Sequence, residues 1–110
     1  HKNSFLTYNE LGVYKLLLSI ENQDIVQEYY QETLGKLEKY DRMNETDYLY
    51  FLKQYFSLNC SVQAVAASLH LHRNSVAYKL HKCEEIIGMS IGEQEVRMGL
   101  MIAFKIREIQ

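Results

Sequence analysis

Apolar residues recur at intervals of three and four along most of this chain, the spacing of helices that each bury one face. Asn9 is placed to cap a first helix from Glu10 to Ile20, whose apolar set is Leu11, Tyr14, Leu17 and Leu18. Asn22 or Gln23 opens a second, carrying Ile25, Val26, Tyr29, Tyr30, Thr33 and Leu34 up to Gly35, a residue suited to a left-handed helix stop. A short turn of helix through Leu37 and Tyr40 follows. Thr46 or Asp47 then caps a segment in which Tyr48, Leu49, Leu52, Tyr55 and Phe56 form a stripe ending near Asn59.

Past Asn59 the pattern tightens. Ser61 caps a brief helix with Val62, Val65, Ala66 and Leu69, which breaks at the stretch from His70 to Arg73 around Leu71. A longer helix runs on to Gly88. Its Val76, Leu80, Cys83 and Ile87 fall on one side, and Asn74, Tyr78, His81, Lys82 and Glu85 on the other. After a linker through Gly92, a closing helix over 93–108 uses Val96, Leu100, Ala103, Phe104 and Ile106. The pattern predicts an all-α fold in one domain over 1–110, a compact bundle of six or seven helices. Lead-in helices over 9–58 support a helix-turn-helix over 61–88.

Residues 61–83 meet the steric demands of that motif. It needs a short first helix, a tight turn, and a second helix that is apolar beneath and polar at its outer side and N-terminus. Ala66 is small where the helices approach, Leu69 and Leu71 bracket the turn, and Val76 locks the second helix underneath. His70 stands where many such motifs place Gly.

Composition agrees with a folded helical domain. There is no Pro and only five Gly, so little would break helices, and the 47% hydrophobic content is too high for default disorder. At 110 residues the chain suits one core better than two. No apolar stretch approaches the roughly 20 residues a membrane span needs, and the N-terminus lacks the pattern of a secretory signal, so the reading is cytoplasmic with no membrane partner. A formal net charge of −2 does not itself point to a polyanion. Its distribution does, because no Asp or Glu occurs from Tyr48 to Cys83, while Lys53, Arg73, Lys79 and Lys82 do. Eight carboxylates crowd the segment from Glu21 to Asp47 against Lys36, Lys39 and Arg42, which predicts an acidic body and a basic C-terminal face.

The segment LHLHRNSVAYKLHKCEEIIG resembles the C-terminal helix-turn-helix of PucR-type regulators, which include sugar-diacid and purine-catabolism activators. LGVYKLLL, LGKLEKYD and YLYFLKQYF resemble that domain's lead-in helices, and MGLMIAFKI its closing helix, so the likeness runs from about Leu11 to Ile106. His70 agrees with this family. AVAASLHLHRNSVAYKL is more distantly similar to the Fis-like helix pair. Where the family pattern has Thr, Leu and Arg, this chain has Ser75, Val76 and Lys79; the lysine keeps the charge without the bidentate fork. The resemblance implies the DNA-binding output domain of a bacterial transcription regulator, partnered by a sensory domain of the same full-length protein.

The second helix of such a motif enters the major groove N-terminus first, so its first-turn amides meet phosphates and Arg73, Asn74 and Ser75 face DNA. Asn74 is suited to adenine, Arg73 to guanine or a phosphate, with His72 at the entrance and Tyr78 one turn along. Ser61 and Gln63 would touch backbone, while Lys79 and Lys82 supply sequence-independent attraction. One short helix in one groove gives little affinity, which predicts a homodimer or larger assembly on paired half-sites. The bland alternatives are helix capping for Arg73 and Asn74, a solvated face for the lysines and a packing role for Tyr78.

His70, His72, His81 and Cys83 invite a zinc reading, but His70 and His72 flank a turn, Cys83 has core spacing, and no paired-cysteine motif accompanies them, so a polar turn with His72 as an unusual helix cap explains them better. No cofactor is expected. Cys60 and Cys83 read as buried thiols rather than a disulfide or redox pair. With no phosphate loop, nucleophile elbow or zinc-protease helix, the chain does not read as an enzyme. The rival readings are a helical protein-interaction module that docks a sensor domain or RNA polymerase, and a single-strand binder that stacks bases on its tyrosines.

Overall fold

Helices α1 (Tyr8–Leu18), α2 (Gln23–Glu32), α3 (Leu34–Asn44), α4 (Tyr48–Ser57), α5 (Val62–Leu69), α6 (Arg73–Ile87) and α7 (Gln94–Glu108) follow one another with no strand among the described residues. These are residues 8–110 of a computed structural model, with side chains from Leu11 onward. The all-α bundle expected from the periodicity is what the chain forms.

Its core joins α2, α3, α4, α6 and α7. Tyr30, Leu34, Leu37, Phe51, Leu52 and Leu100 are essentially sealed from solvent, as are Val76, Cys83 and Ile87 on the underside of α6. The expected stripes of α4, α6 and α7 bury their residues, with Phe56, Leu80, Val96 and Phe104 half-buried at the margins. Phe51, absent from the expected α4 set, is buried as well. The Tyr30 hydroxyl donates to Glu38 at 3.1 Å, and burial, with that carboxylate's help, pushes its pKa up to about 12.

Two boundaries differ from the sequence reading, and a third, at the start of α4, falls where expected but is capped by a different side chain. Gly35 does not stop a helix: it lies buried inside α3, where a Cβ would meet the Gln31 side chain and the Tyr30 carbonyl, so it permits close packing. The break falls at Thr33, whose hydroxyl donates to the Tyr29 carbonyl at 2.8 Å, and α3 is a full helix of 11 residues. Neither Thr46 nor Asp47 caps α4 with its side chain. Asp41, from α3, accepts the backbone N–H groups of Tyr48 and Leu49, each at 2.9 Å, and the Thr46 hydroxyl at 2.6 Å. Helix α1 starts at Tyr8, ahead of its expected cap Asn9, whose side chain lies outside the described residues. Leu17 is buried in α1, but Leu11 and Leu18 are exposed, because α1 rests chiefly on α7 and one neighbour covers only a narrow stripe.

The span from α6 to α7 is held by side chains that have no helical role. Glu84 accepts the Ile91 N–H at 2.8 Å, while Arg97 donates Nε to the Ile91 carbonyl at 2.8 Å and Nη2 to the Tyr55 hydroxyl at 3.3 Å. Gly88 takes φ 81° at the end of α6, the left-handed stop read from the sequence. Among the described residues no helix is long and apolar enough to cross a membrane.

Candidate nucleic-acid interface

Helix α5 is short because both of its ends are closed locally. The Ser61 hydroxyl oxygen accepts the Ala64 N–H at 3.0 Å at the start. At the other end His70 adopts φ 57° and ψ 45°, and its N–H and that of Leu71 both return to the Ala66 carbonyl. Left-handed backbone is where Gly is at home, so His70 holds the turn at some conformational cost. Leu69 and Leu71 pack on the core from either side of it.

Two residues later the chain enters α6 through an unusual cap. The His72 ring nitrogen Nδ1 accepts the Asn74 N–H at 3.0 Å. The Ser75 and Val76 amides return to the His72 carbonyl at 2.9 and 3.2 Å. Most first-turn amides are therefore satisfied within the chain, which narrows the expectation that they meet phosphates. What α6 offers at its entrance is side chains: His72, Arg73, Asn74 and Ser75 are all exposed. Capping takes the Asn74 backbone N–H but not its side-chain amide, because the His72 ring supplies the cap acceptor.

Along α6 the outward line continues from Asn74 through Tyr78, His81 and Glu85, one helical turn apart. Tyr78 is 63% exposed, so it does not cover a neighbouring helix as a core tyrosine would. The line turns acidic at its far end, where His81 faces Glu84 at 3.8 Å and Glu85 at 3.5 Å. On one flank, Val62, Gln63, Ala66 and Arg73 line an open cleft of about 510 Å³ between α5 and the first turn of α6. It brings together Gln63 and Arg73, with Ser61 at the same end of α5.

The other flank holds the two lysines, and here the structure adds what spacing did not reveal. Lys79 Nζ sits 5.3 Å from the ring centroid of Tyr48 and 5.9 Å from that of Phe51, while Lys82 Nζ lies 5.6 Å from that of Tyr40. Both are half-buried against the α3–α4 corner rather than held out in water. Burial raises the Tyr48 pKa, with the Tyr78 and Tyr40 phenols adding to it, and the Tyr40 phenol and Glu85 raise that of Lys82. Tyr40, Tyr48 and Phe51 had no role in the site read from sequence. Their lysine contacts join separate segments of the chain, for which there is no local signal.

Cys83 is sealed in the core, where burial pushes its thiol up to about 12, and Cys60 is half-buried. Both are unpaired thiols, and among the described residues no three His, Cys, Asp or Glu side chains gather as a metal set would.

Comparison with known proteins places this geometry. The family described as the PucR C-terminal helix-turn-helix domain matches residues 48–106, from α4 into α7. The chain is 30% identical over 102 residues to the purine catabolism regulatory protein of Bacillus subtilis strain 168, covering 93% of this chain and 19% of that protein. In the same organism it is 28% identical over 95 residues to the proline-responsive transcriptional activator PutR, covering 86% of this chain and 23% of that protein. It is 22% identical over 103 residues to the DNA-binding transcriptional activator AdeR, covering 94% of this chain and 24% of that protein. The chain thus spans about a fifth to a quarter of the length of these relatives, which are named as regulators and activators and not as enzymes. No solved structure matches it significantly.

Proposed function

The chain belongs to the PucR C-terminal helix-turn-helix domain family, and from that premise we propose that it binds double-stranded DNA sequence-specifically, as the output domain of a bacterial transcription regulator. The observation that carries this reading is the start of α6, where His72, Arg73, Asn74 and Ser75 stand exposed above a sealed underside of Val76, Cys83 and Ile87. A helix so presented enters a major groove N-terminus first. Asn74 offers its side-chain amide to adenine, Arg73 reads guanine or holds a phosphate, and Tyr78 lies one turn further along the exposed side. The cleft shared by Gln63 and Arg73, with the Ser61 hydroxyl beside it, receives the backbone of one strand. Lys79 and Lys82 serve the opposite edge of the groove.

The acidic end of the outward line supports the same polarity. Glu84 and Glu85 disfavour deep entry of the last turn of α6 between phosphates, so the first two turns do the reading. Those turns span few base pairs, and useful affinity follows from a homodimer or larger assembly on paired half-sites. In the full-length protein a sensory domain sets when this cytoplasmic domain acts, as the relatives' names and greater length suggest.

Selection of bound sequences from a random duplex library with the 110-residue chain tests the reading. The expected result is a short motif, repeated as half-sites about one helical turn apart when the chain is dimeric. Recovery of no motif, or preference for single strands over duplex, would overturn it.

A further inference from the structure

We infer that the seam between α6 and the α3–α4 corner is a seat for one phosphate of the DNA backbone, gripped by the Lys82 ammonium with the Tyr40 and Tyr78 hydroxyls. This rests on the duplex-binding reading and makes a lead-in helix part of the interface instead of only a platform beneath it.

The arrangement starts from the direction of α3. Lys36, at its beginning, reaches the Ile87 carbonyl at the end of α6 at 3.5 Å, whereas Tyr40 lies under Lys82, so the two helices run antiparallel along this flank. Tyr78 lies one turn before Lys82 on α6, towards the end that enters the groove. The Tyr40 ring packs on Tyr48 with centroids 6.0 Å apart, and Lys79 lies over Tyr48 in turn. The Tyr40 and Tyr48 phenols and two ammonium groups thus form one strip beside the outward line of α6, on which Tyr78 stands one turn from Lys82.

Such a strip suits a phosphate better than a base. Phenols and ammonium groups donate hydrogen bonds to any anionic oxygen and carry no base code. Lysines whose ammonium groups are held over aromatic rings have also surrendered part of their rotamer freedom before DNA arrives, so less is lost on binding. The Lys82 side chain keeps 30% of its exposure, Tyr40 is half-buried and Tyr78 lies open, so the donors remain within reach. One carboxylate contests the place: Glu85 is 3.8 Å from Lys82 Nζ, and an incoming phosphate takes over that partner.

The test measures affinity at several salt concentrations for the parent chain, Tyr40→Phe and Lys82→Gln. The probes are a duplex recovered from the random library and a scrambled duplex of equal length. Tyr40→Phe keeps the ring beneath Lys82 and removes only the hydroxyl, so it is expected to bind both probes about fivefold more weakly, with the salt slope unchanged. Lys82→Gln is expected to weaken both and lower the slope of log affinity against log salt by about 0.9. Thermal melting of each variant shows whether it is folded, so that lost binding is not lost structure. If the parent binds its selected duplex and folded Tyr40→Phe matches it within twofold, the seat is wrong while the duplex-binding reading stands. If the parent binds no duplex, both fall.

Discussion

Replacing Asp41 by Ala removes the side chain that starts α4 from outside it, and the cost follows from the bonds it makes. Its carboxylate takes two backbone N–H groups and one hydroxyl, at 2.9, 2.9 and 2.6 Å. A hydrogen bond to a charged group contributes about 1.5–3 kcal/mol, but three bonds to one carboxylate are not additive, and water replaces part of them at this half-exposed corner. A net loss of about 3 kcal/mol is expected, above the ~1 kcal/mol of an ordinary cap because two orphan amides lose their partner together. Unfolding entropy of about 2.1 cal/mol/K per residue makes that a fall in Tm of roughly 10–15 °C for a chain of this size. Asp41→Asn, which keeps one acceptor oxygen, should lose about half as much. Asp47→Ala serves as the comparison: Asp47 stands at the cap position, is exposed and makes no side-chain cap bond, so its loss is expected to stay within about 0.5 kcal/mol. Urea and thermal unfolding followed by circular dichroism measure all three. An Asp47→Ala loss equal to or above that of Asp41→Ala would refute the cross-helix cap.

Four further outcomes are expected. Val76→Asp places an unpaired charge in a fully sealed position and should leave the domain unfolded by circular dichroism, whereas Asn74→Ala should melt like the parent yet lose selectivity between library-selected and scrambled duplexes. His70→Gly relieves a left-handed backbone costing about 1–2 kcal/mol and restores part of that in chain entropy, so it should raise stability by about 0.5–1 kcal/mol; a lowered urea midpoint would count against the strain. Stability should fall as pH rises from about 9 towards 12, because the folded state keeps protons on Cys83 and Tyr30, each pushed up to about 12, that the unfolded chain releases from 9.0 and 10.0 upward. The slope approaches about 1.4 kcal/mol per pH unit for each group fully in its window, and urea midpoints that stay flat or rise over this range would contradict the assignment.

The motif itself was legible because its geometry is set within a few residues. Ser61 caps α5 three residues ahead of the amide it receives, His72 caps α6 two residues ahead, and Gly88 ends α6 with its own backbone. The underside of α6 likewise announced itself, since Val76, Cys83 and Ile87 are buried as their spacing requires. Gly35 misled because a glycine has two uses, positive φ and close approach, and nothing adjacent in sequence distinguishes them. The start of α4 misled similarly: Thr46 and Asp47 have suitable chemistry in suitable places, but Asp41 is already poised there by the preceding helix.

The same division runs through the binding face. Its entrance, from His72 to Ser75, is exposed because the turn and the cap hold it there, and both are written in adjacent residues. Its lysine flank is different, because spacing places Lys79 and Lys82 on α6 without saying whether water or another helix lies opposite. Tyr40 and Tyr48 answer that, and they come from helices begun more than thirty residues earlier. A lysine over a ring is an ordered donor, whereas one in water is a mobile charge; only the first can favour a single position of the phosphate. Lead-in helices that shape the lysines therefore take part in setting how the helix-turn-helix sits on a duplex. On this argument Tyr40→Ala, which removes ring and hydroxyl together, should weaken duplex binding more than Tyr40→Phe in a variant that still folds, and an equal effect would mean that the ring does not order Lys82.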